Sequence, residues 1–237
     1  MTEQVGLRER KRRRTHDAIS AAAISLFLDR GFDAVSVADV AAAAEVSKPT
    51  LFKYFASKED LVLHRIADHQ GEPARVVRGR AAGESPLGAL RRHFLDGLDR
   101  RDPVTGLNDH DQVLAYHRMV FSTPSLAARV ASYAATEEAT LAEALDEIPG
   151  PAEAPSGGLT SRLAAGQIIA VQRILARENW RRLIEGRSAA EVHPDAVVAA
   201  NHAFDLLESG LATFYGEGSA PDRNAFSGRV VSARCDH

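Results

Sequence analysis

Residues 36–61 read SVADVAAAAEVSKPTLFKYFASKEDL, and three serines punctuate them. Ser36 stands three residues before Asp39. At that spacing a serine oxygen takes a free N–H of a helix's first turn while the acid reaches back to the serine N–H. A short helix to about Ala44 follows, and Glu45-Val46-Ser47 is a tight turn. A second short helix, about Lys48 to Phe55, carries Pro49 in its first turn, where the missing N–H costs little. Ser57-Lys-Glu-Asp60 repeats the capping pattern and opens a longer helix through Leu61, Val62, Arg65 and Ile66, which Gly71 and Pro73 weaken or break. Val37, Val40, Ala41, Val46, Leu51 and Phe55 are the expected core of this unit.

Upstream, Ile19, Ala22, Ala23, Leu26 and Phe27 recur on one face of a helix expected from about Arg10 to Arg30. Gly31 stands where such a helix stops. Arg8, Arg10, Lys11, Arg12, Arg13 and Arg14 form a basic run interrupted only by Glu9. The run reads equally as a phosphate or minor-groove arm and as a solvated, frayed terminus. Two short helices joined by a tight turn and flanked by helices make a helix-turn-helix, whose second helix must fit a major groove ~12 Å wide. Lys48 and Thr50 at its start can reach base edges or phosphates. Lys53 and Tyr54 lie one turn on. Lys58 and Ser36 each sit at a helix start, where free N–H groups favour phosphate.

Gly31-Phe32, Ser36-Val37, Asp39-Val40-Ala41, Val46-Ser47, Thr50-Leu51-Phe52, Tyr54-Phe55 and Lys58-Glu59-Asp60-Leu61 together resemble the DNA-binding domain of TetR-family regulators. The likeness spans about Asp17 to Val62. It implies Ser36, Ser47, Lys48, Thr50, Tyr54 and Lys58 as DNA contacts. Two positions depart from the family pattern. Glu45 replaces the usual turn glycine, and a non-glycine residue there strains to enter the left-handed region. Phe52 replaces the commoner tyrosine and its hydroxyl.

Downstream, Leu87, Leu90, Phe94, Leu95 and Leu98 share one stripe of a helix over about 86–98. A polar loop is expected at 99–109, and helices at 111–121 and 124–146. Residues 147–158, EIPGPAEAPSGG, read as a flexible connection. Two long helices follow, 159–185 and 194–215. Leu163, Ile168, Val171, Leu175 and Leu183 form the apolar side of the first. Val197, Val198, Phe204, Leu207, Leu211 and Phe214 mark the second, where Ala200, Ala203, Gly210 and Ala212 permit close helix approach. The fold class is therefore all-α: a helix-turn-helix domain (8–62), a larger helical domain (63–215) and an aperiodic tail (216–237). The resemblance implies that the larger domain binds a small effector and that its last two helices form a homodimer. The segment 204–211, with Trp180, is similar to mycofactocin-type regulators, which implies an acyl-CoA ligand. A pocket should be apolar with a few polar anchors. The candidates are Phe94, Tyr116, His117, Met119, Val120, Phe121, Gln172, Asn179 and Trp180.

Other classes find less support. The net charge of −3 gives no global case for nucleic acid, so that case is local. The one cysteine, Cys235, allows no internal disulfide and suggests no nucleophile. No signal-peptide core or membrane-length apolar run appears, so a cytoplasmic location is expected. No glycine-rich phosphate loop, nucleophile elbow or catalytic carboxylate pair is present, and no cofactor or catalytic residue is expected. The alternative, a metal-binding or hydrolytic helical enzyme, rests on Asn108-Asp-His-Asp111 with His117. That cluster lacks a recognised ligand spacing and equally suits loops and caps.

Overall fold

The computed structural model describes residues 2–148 and 158–215, and among them are ten α-helices and one short 3-10 turn, with no strand. α1 (Thr2–Arg30) begins well before Arg10. No proline interrupts the basic run, and Gly6 costs helix stability without ending the helix. α1 ends at Gly31, whose φ of 85° turns the chain while its N–H bonds the Phe27 carbonyl at 2.9 Å. α2 (Val37–Ala43), α3 (Lys48–Phe52) and α4 (Lys58–Ala67) follow. α3 stops short of the expected Phe55 because the N–H groups of Lys53 and Tyr54 bond tightly to Thr50 and Leu51.

A helix not expected from the sequence, α5 (Glu72–Arg78), starts at once after Gly71. Gly71, at φ 72°, turns the chain, and Pro73 falls in the new first turn, where it lacks only an N–H that would be unpaired anyway. The residues that end one helix therefore start the next. α6 (Pro86–Asp99) and a 3-10 turn (Pro103–Thr105) come next. The expected polar loop at 99–109 is partly core: Thr105, Gly106 and Leu107 are buried. α7 (Asp111–Ser122), α8 (Pro124–Asp146), α9 (Leu159–Ile184) and α10 (Ala189–Tyr215) complete the chain. α10 starts at Ala189, not Pro194. Ser188 and Glu191 form its capping box, with the Ser188 N–H donating to Glu191 Oε2 at 2.8 Å, and Pro194 rides inside on the exposed side. The greater part of the 147–158 connection, the tail with Cys235, and the side chains of Leu211, Ala212 and Phe214 lie outside the described residues.

Two apolar cores form. One gathers Ile19, Phe27, Val40, Leu51, Phe55 and Leu61 from α1–α4, and it also takes Tyr116, Val120 and Leu126 from α7 and α8. Val37 and Val46 are only partly buried at its edge. The other joins α5, α6, α8, α9 and α10 through Leu90, Leu98, Leu141, Ile168 and Phe204. Leu163 departs from the expected apolar side of α9, since it stands 58% exposed while Ile168, Leu175 and Leu183 turn inward. Polar ties fasten α7 and α8 to α4. The Tyr116 hydroxyl donates to the Val62 carbonyl at 2.9 Å, and Arg129 reaches Asp60 at 3.2 Å.

Candidate nucleic-acid interface

Each helix of the helix-turn-helix starts on a serine. Ser36 Oγ accepts from the Asp39 N–H at 3.2 Å, and the Asp39 carboxylate accepts from the Ser36 N–H at 2.8 Å. The Ser36 hydroxyl and N–H hold that carboxyl below the usual carboxylate range. Ser47 Oγ accepts from the Thr50 N–H at 3.2 Å, and Ser57 Oγ from the Asp60 N–H at 3.1 Å. The turn between α2 and α3 passes through Glu45 at φ 54°, the left-handed position the sequence anticipates. Leu51 and Phe55 face inward, so α3 presents its other side to solvent.

The residues expected to touch DNA occupy different settings. Lys48 on α3 and Lys53 at its C-terminal cap are exposed, with Thr50 and Tyr54 half-buried beside them. Ser47 is exposed, and its hydroxyl lies 2.8 Å from that of Thr50. Ser36 is exposed but its hydroxyl also donates to Asp39. The Lys58 ammonium sits 4.3 Å from the centre of the Phe32 ring, a cation–π contact that holds the charge at the surface. Phe52 is 49% exposed on α3, so its ring is available for apolar contact. A groove of about 620 Å³ runs between α1 and α3, lined by Glu9, Arg12, Arg13, His16, Thr50, Lys53 and Tyr54. The sequence singles out Arg12 and Arg13 as basic, but it does not disclose that they face α3 across one groove.

The residues expected to line an effector pocket separate. Phe94 packs in the second core, 6.3 Å from the Phe204 ring centre. Tyr116 belongs to the first core with its hydroxyl committed to Val62, and burial pushes its phenol well above the ordinary range. Val120 is buried in that core and Met119 packs against it. The buried Asn179 donates from Nδ2 to the Thr105 carbonyl at 2.9 Å, which pins the 3-10 turn to α9. Gln172 is half-buried. His117, Phe121 and Trp180 do come together: Phe121 and Trp180 ring centres are 5.4 Å apart, and His117 lies 6.4 Å from Trp180. Burial lowers the His117 pKa, which favours the neutral ring. The Trp180 indole N–H is buried without a partner among the described residues. The 108–111 cluster serves the fold. Asn108 donates to the Arg101 carbonyl at 2.8 Å, His110 caps α7, and Asp109 accepts from the Ala189 N–H at 2.8 Å.

A three-helix unit with capped helices and a solvent-facing α3 is a helix-turn-helix domain. The family model for bacterial regulatory proteins of the tetR family matches residues 19–64. The regulator TcmR of Streptomyces glaucescens is 39% identical over 124 residues, which cover 52% of this chain and 55% of TcmR. MftR of Mycobacterium tuberculosis, described as a mycofactocin biosynthesis transcriptional regulator, is 51% identical over 60 residues, covering 25% of this chain and 30% of MftR. The chain thus spans about half, or less, of the curated relatives it matches. Among solved structures, Salmonella enterica GusR superposes with a TM-score of 0.53 at 20% identity, covering 82% of this chain and 94% of that one. NalD, a secondary repressor of the MexAB-OprM efflux pump in Pseudomonas aeruginosa, gives 0.53 at 18% identity over 87% and 98%. Those two likenesses concern the fold alone. Residues 19–64 thus form a DNA-binding domain of the tetR family of bacterial regulatory proteins.

Proposed function

We propose that the chain is a homodimeric repressor that binds a near-palindromic DNA operator through α3 and lets go when a small, largely apolar effector binds the helical domain. The observation that carries this reading is the capped helix-turn-helix with Lys48 and Phe52 exposed on one short helix and Lys53 exposed at its C-terminal cap. Lysines there suit phosphates and base edges, and an exposed phenylalanine suits a thymine methyl. Ser36, Ser47, Thr50 and Tyr54 add hydroxyl donors nearby, and Lys58 adds a positioned charge. A DNA-binding role sets its work in the cytoplasm.

Dimerisation follows from what the last two helices leave in water. Leu163 (58%) and Ile174 (66%) on α9, and Val198 (69%) and Leu206 (61%) on α10, are exposed on helices that pack side by side. Large apolar side chains gathered this way favour burial against a second copy. A helix-turn-helix dimer also needs its recognition helices one DNA turn apart, ~34–36 Å. The effector reading rests on the His117–Phe121–Trp180 wall, which offers aromatic surface and one unspent indole donor. The acyl-CoA class is one to try first, on the resemblance of the segment 204–211, with Trp180, to mycofactocin-type regulators. Repression fits the description of a Mycobacterium tuberculosis relative, 36% identical over 77 residues, as a transcriptional repressor. Release is a population shift, in which effector favours a dimer whose α3 helices miss the half-site spacing.

The test is a mobility shift with the DNA beside the protein's own gene, set against a random duplex of equal length. Preferential binding is expected, reversed by the effector. No preference over random DNA sinks the regulator reading.

A further inference from the structure

The basic run of α1 is neither frayed nor extended. Residues 8–14 are helical and exposed, in register with the helix that buries Ile19, Ala23 and Phe27. Their helix is fastened beside α3, because the His16 ring stacks on Phe55 at 4.7 Å between centres. Glu9, Arg12, Arg13 and His16 follow the spacing of one helix face, and together they form one wall of the groove whose other wall is Thr50, Lys53 and Tyr54. Both walls are rich in donors: two guanidinium groups, an ammonium and two hydroxyls. Glu9 is the one acid among these lining residues, and its 3.9 Å pair with Arg12 is exposed and weak.

We propose that the N-terminal turns of α1 are a rigid clamp for the phosphate backbone of double-stranded DNA. Arg12 and Arg13 hold a phosphate in the groove together with Lys53, and Arg8, Arg10, Lys11 and Arg14 carry the positive surface along the neighbouring phosphates. The inference rests on the DNA-binding reading and deepens it. The chemistry selects phosphate over bases: acceptor-only oxygens suit a donor-rich groove. The helix excludes the minor-groove alternative by size. A helix with its side chains is ~10–12 Å across, and the minor groove of B-DNA is ~6 Å wide. From Arg8 to Arg14 the axis runs about 9 Å at ~1.5 Å per residue, or some three base-pair steps of ~3.4 Å. Because folding has already ordered these side chains' backbone, binding does not have to order a tail.

The experiment measures binding of the full chain to a labelled random-sequence duplex across a salt series, by fluorescence anisotropy. Deleting one phosphate-binding charge flattens the plot of log K against log salt by about 0.9 unit. Arg12→Ala/Arg13→Ala should flatten it by about two units and weaken binding at low salt, with an unchanged melting curve because both side chains are exposed. Arg12→Lys/Arg13→Lys should restore most of the slope, and Glu9→Gln should tighten binding. Removing the same charge elsewhere, by Arg100→Ala/Arg187→Ala, should leave the slope alone. A wild-type slope in Arg12→Ala/Arg13→Ala overturns the clamp while leaving α3 as the DNA reader. An unchanged slope with altered preference among duplex sequences overturns it in favour of base reading. If the wild-type chain binds no duplex at any salt, the DNA-binding reading itself fails, and the clamp with it.

Discussion

Glu45 holds a φ of 54° at the turn on which the whole recognition unit pivots. A side chain in this left-handed region costs roughly 1–2 kcal/mol, and glycine would remove that strain while adding unfolded-state entropy worth about 0.4–1 kcal/mol. Glu45→Gly should therefore stabilise by up to about 1 kcal/mol, a rise in Tm of about 2–4 °C for a chain of this size. A thermal melt checks this, and a fall in Tm would mean that the glutamate side chain holds the turn by a contact of its own. This strain is legible in the sequence, as are the serine caps, because each is decided by residues three or four positions apart. The seat of Lys58 is not. Its charge rests on Phe32, on the far side of the helix-turn-helix, and only the folded chain brings ring and ammonium together. Lys58 thus has a packing role beside any contact with phosphate.

At the scale of elements, the least legible piece is the stretch between α6 and α7. Its composition says loop, yet Leu107 is fully buried and Asn179 ties the Thr105 carbonyl to α9. Gly106 explains how. At φ 73° its backbone lies so close to α9 that a Cβ there would stand 1.9 Å from the Ala176 carbonyl oxygen. Gly106→Ala should therefore cost about 3 kcal/mol or more, from overpacking added to left-handed strain. Chemical denaturation reads this as a lower midpoint at unchanged slope, and a midpoint within error of wild type would refute the close approach. α5 is hidden for a related reason. Gly71 and Pro73 announce a break, and nothing local says that the same residues also open a short helix. The long helices are plain from periodicity, but the facing of Leu163 is not, since a helix apolar on two sides does not declare which side meets its own chain.

For the whole molecule, those two sides are the point. α9 and α10 bury Ile168, Leu175, Phe204 and Leu207 within the chain and leave Val198 and Leu206 outside. Val198→Glu/Leu206→Glu should keep the fold and abolish the proposed dimer, so that light scattering reports the 25.5 kDa of one chain. DNA affinity should fall with it, because two half-sites are no longer held together. A dimer that survives both charges places the subunit contact elsewhere.

The first core draws Tyr116, Val120 and Leu126 from helices that lie far down the chain, and the phenol of Tyr116 closes on a backbone carbonyl of α4. The reading head is therefore no interchangeable cassette. A chimera that joins it to a relative's C-terminal helices must import the α7 and α8 side chains that seat it as well, or the transplanted head loses part of its own core.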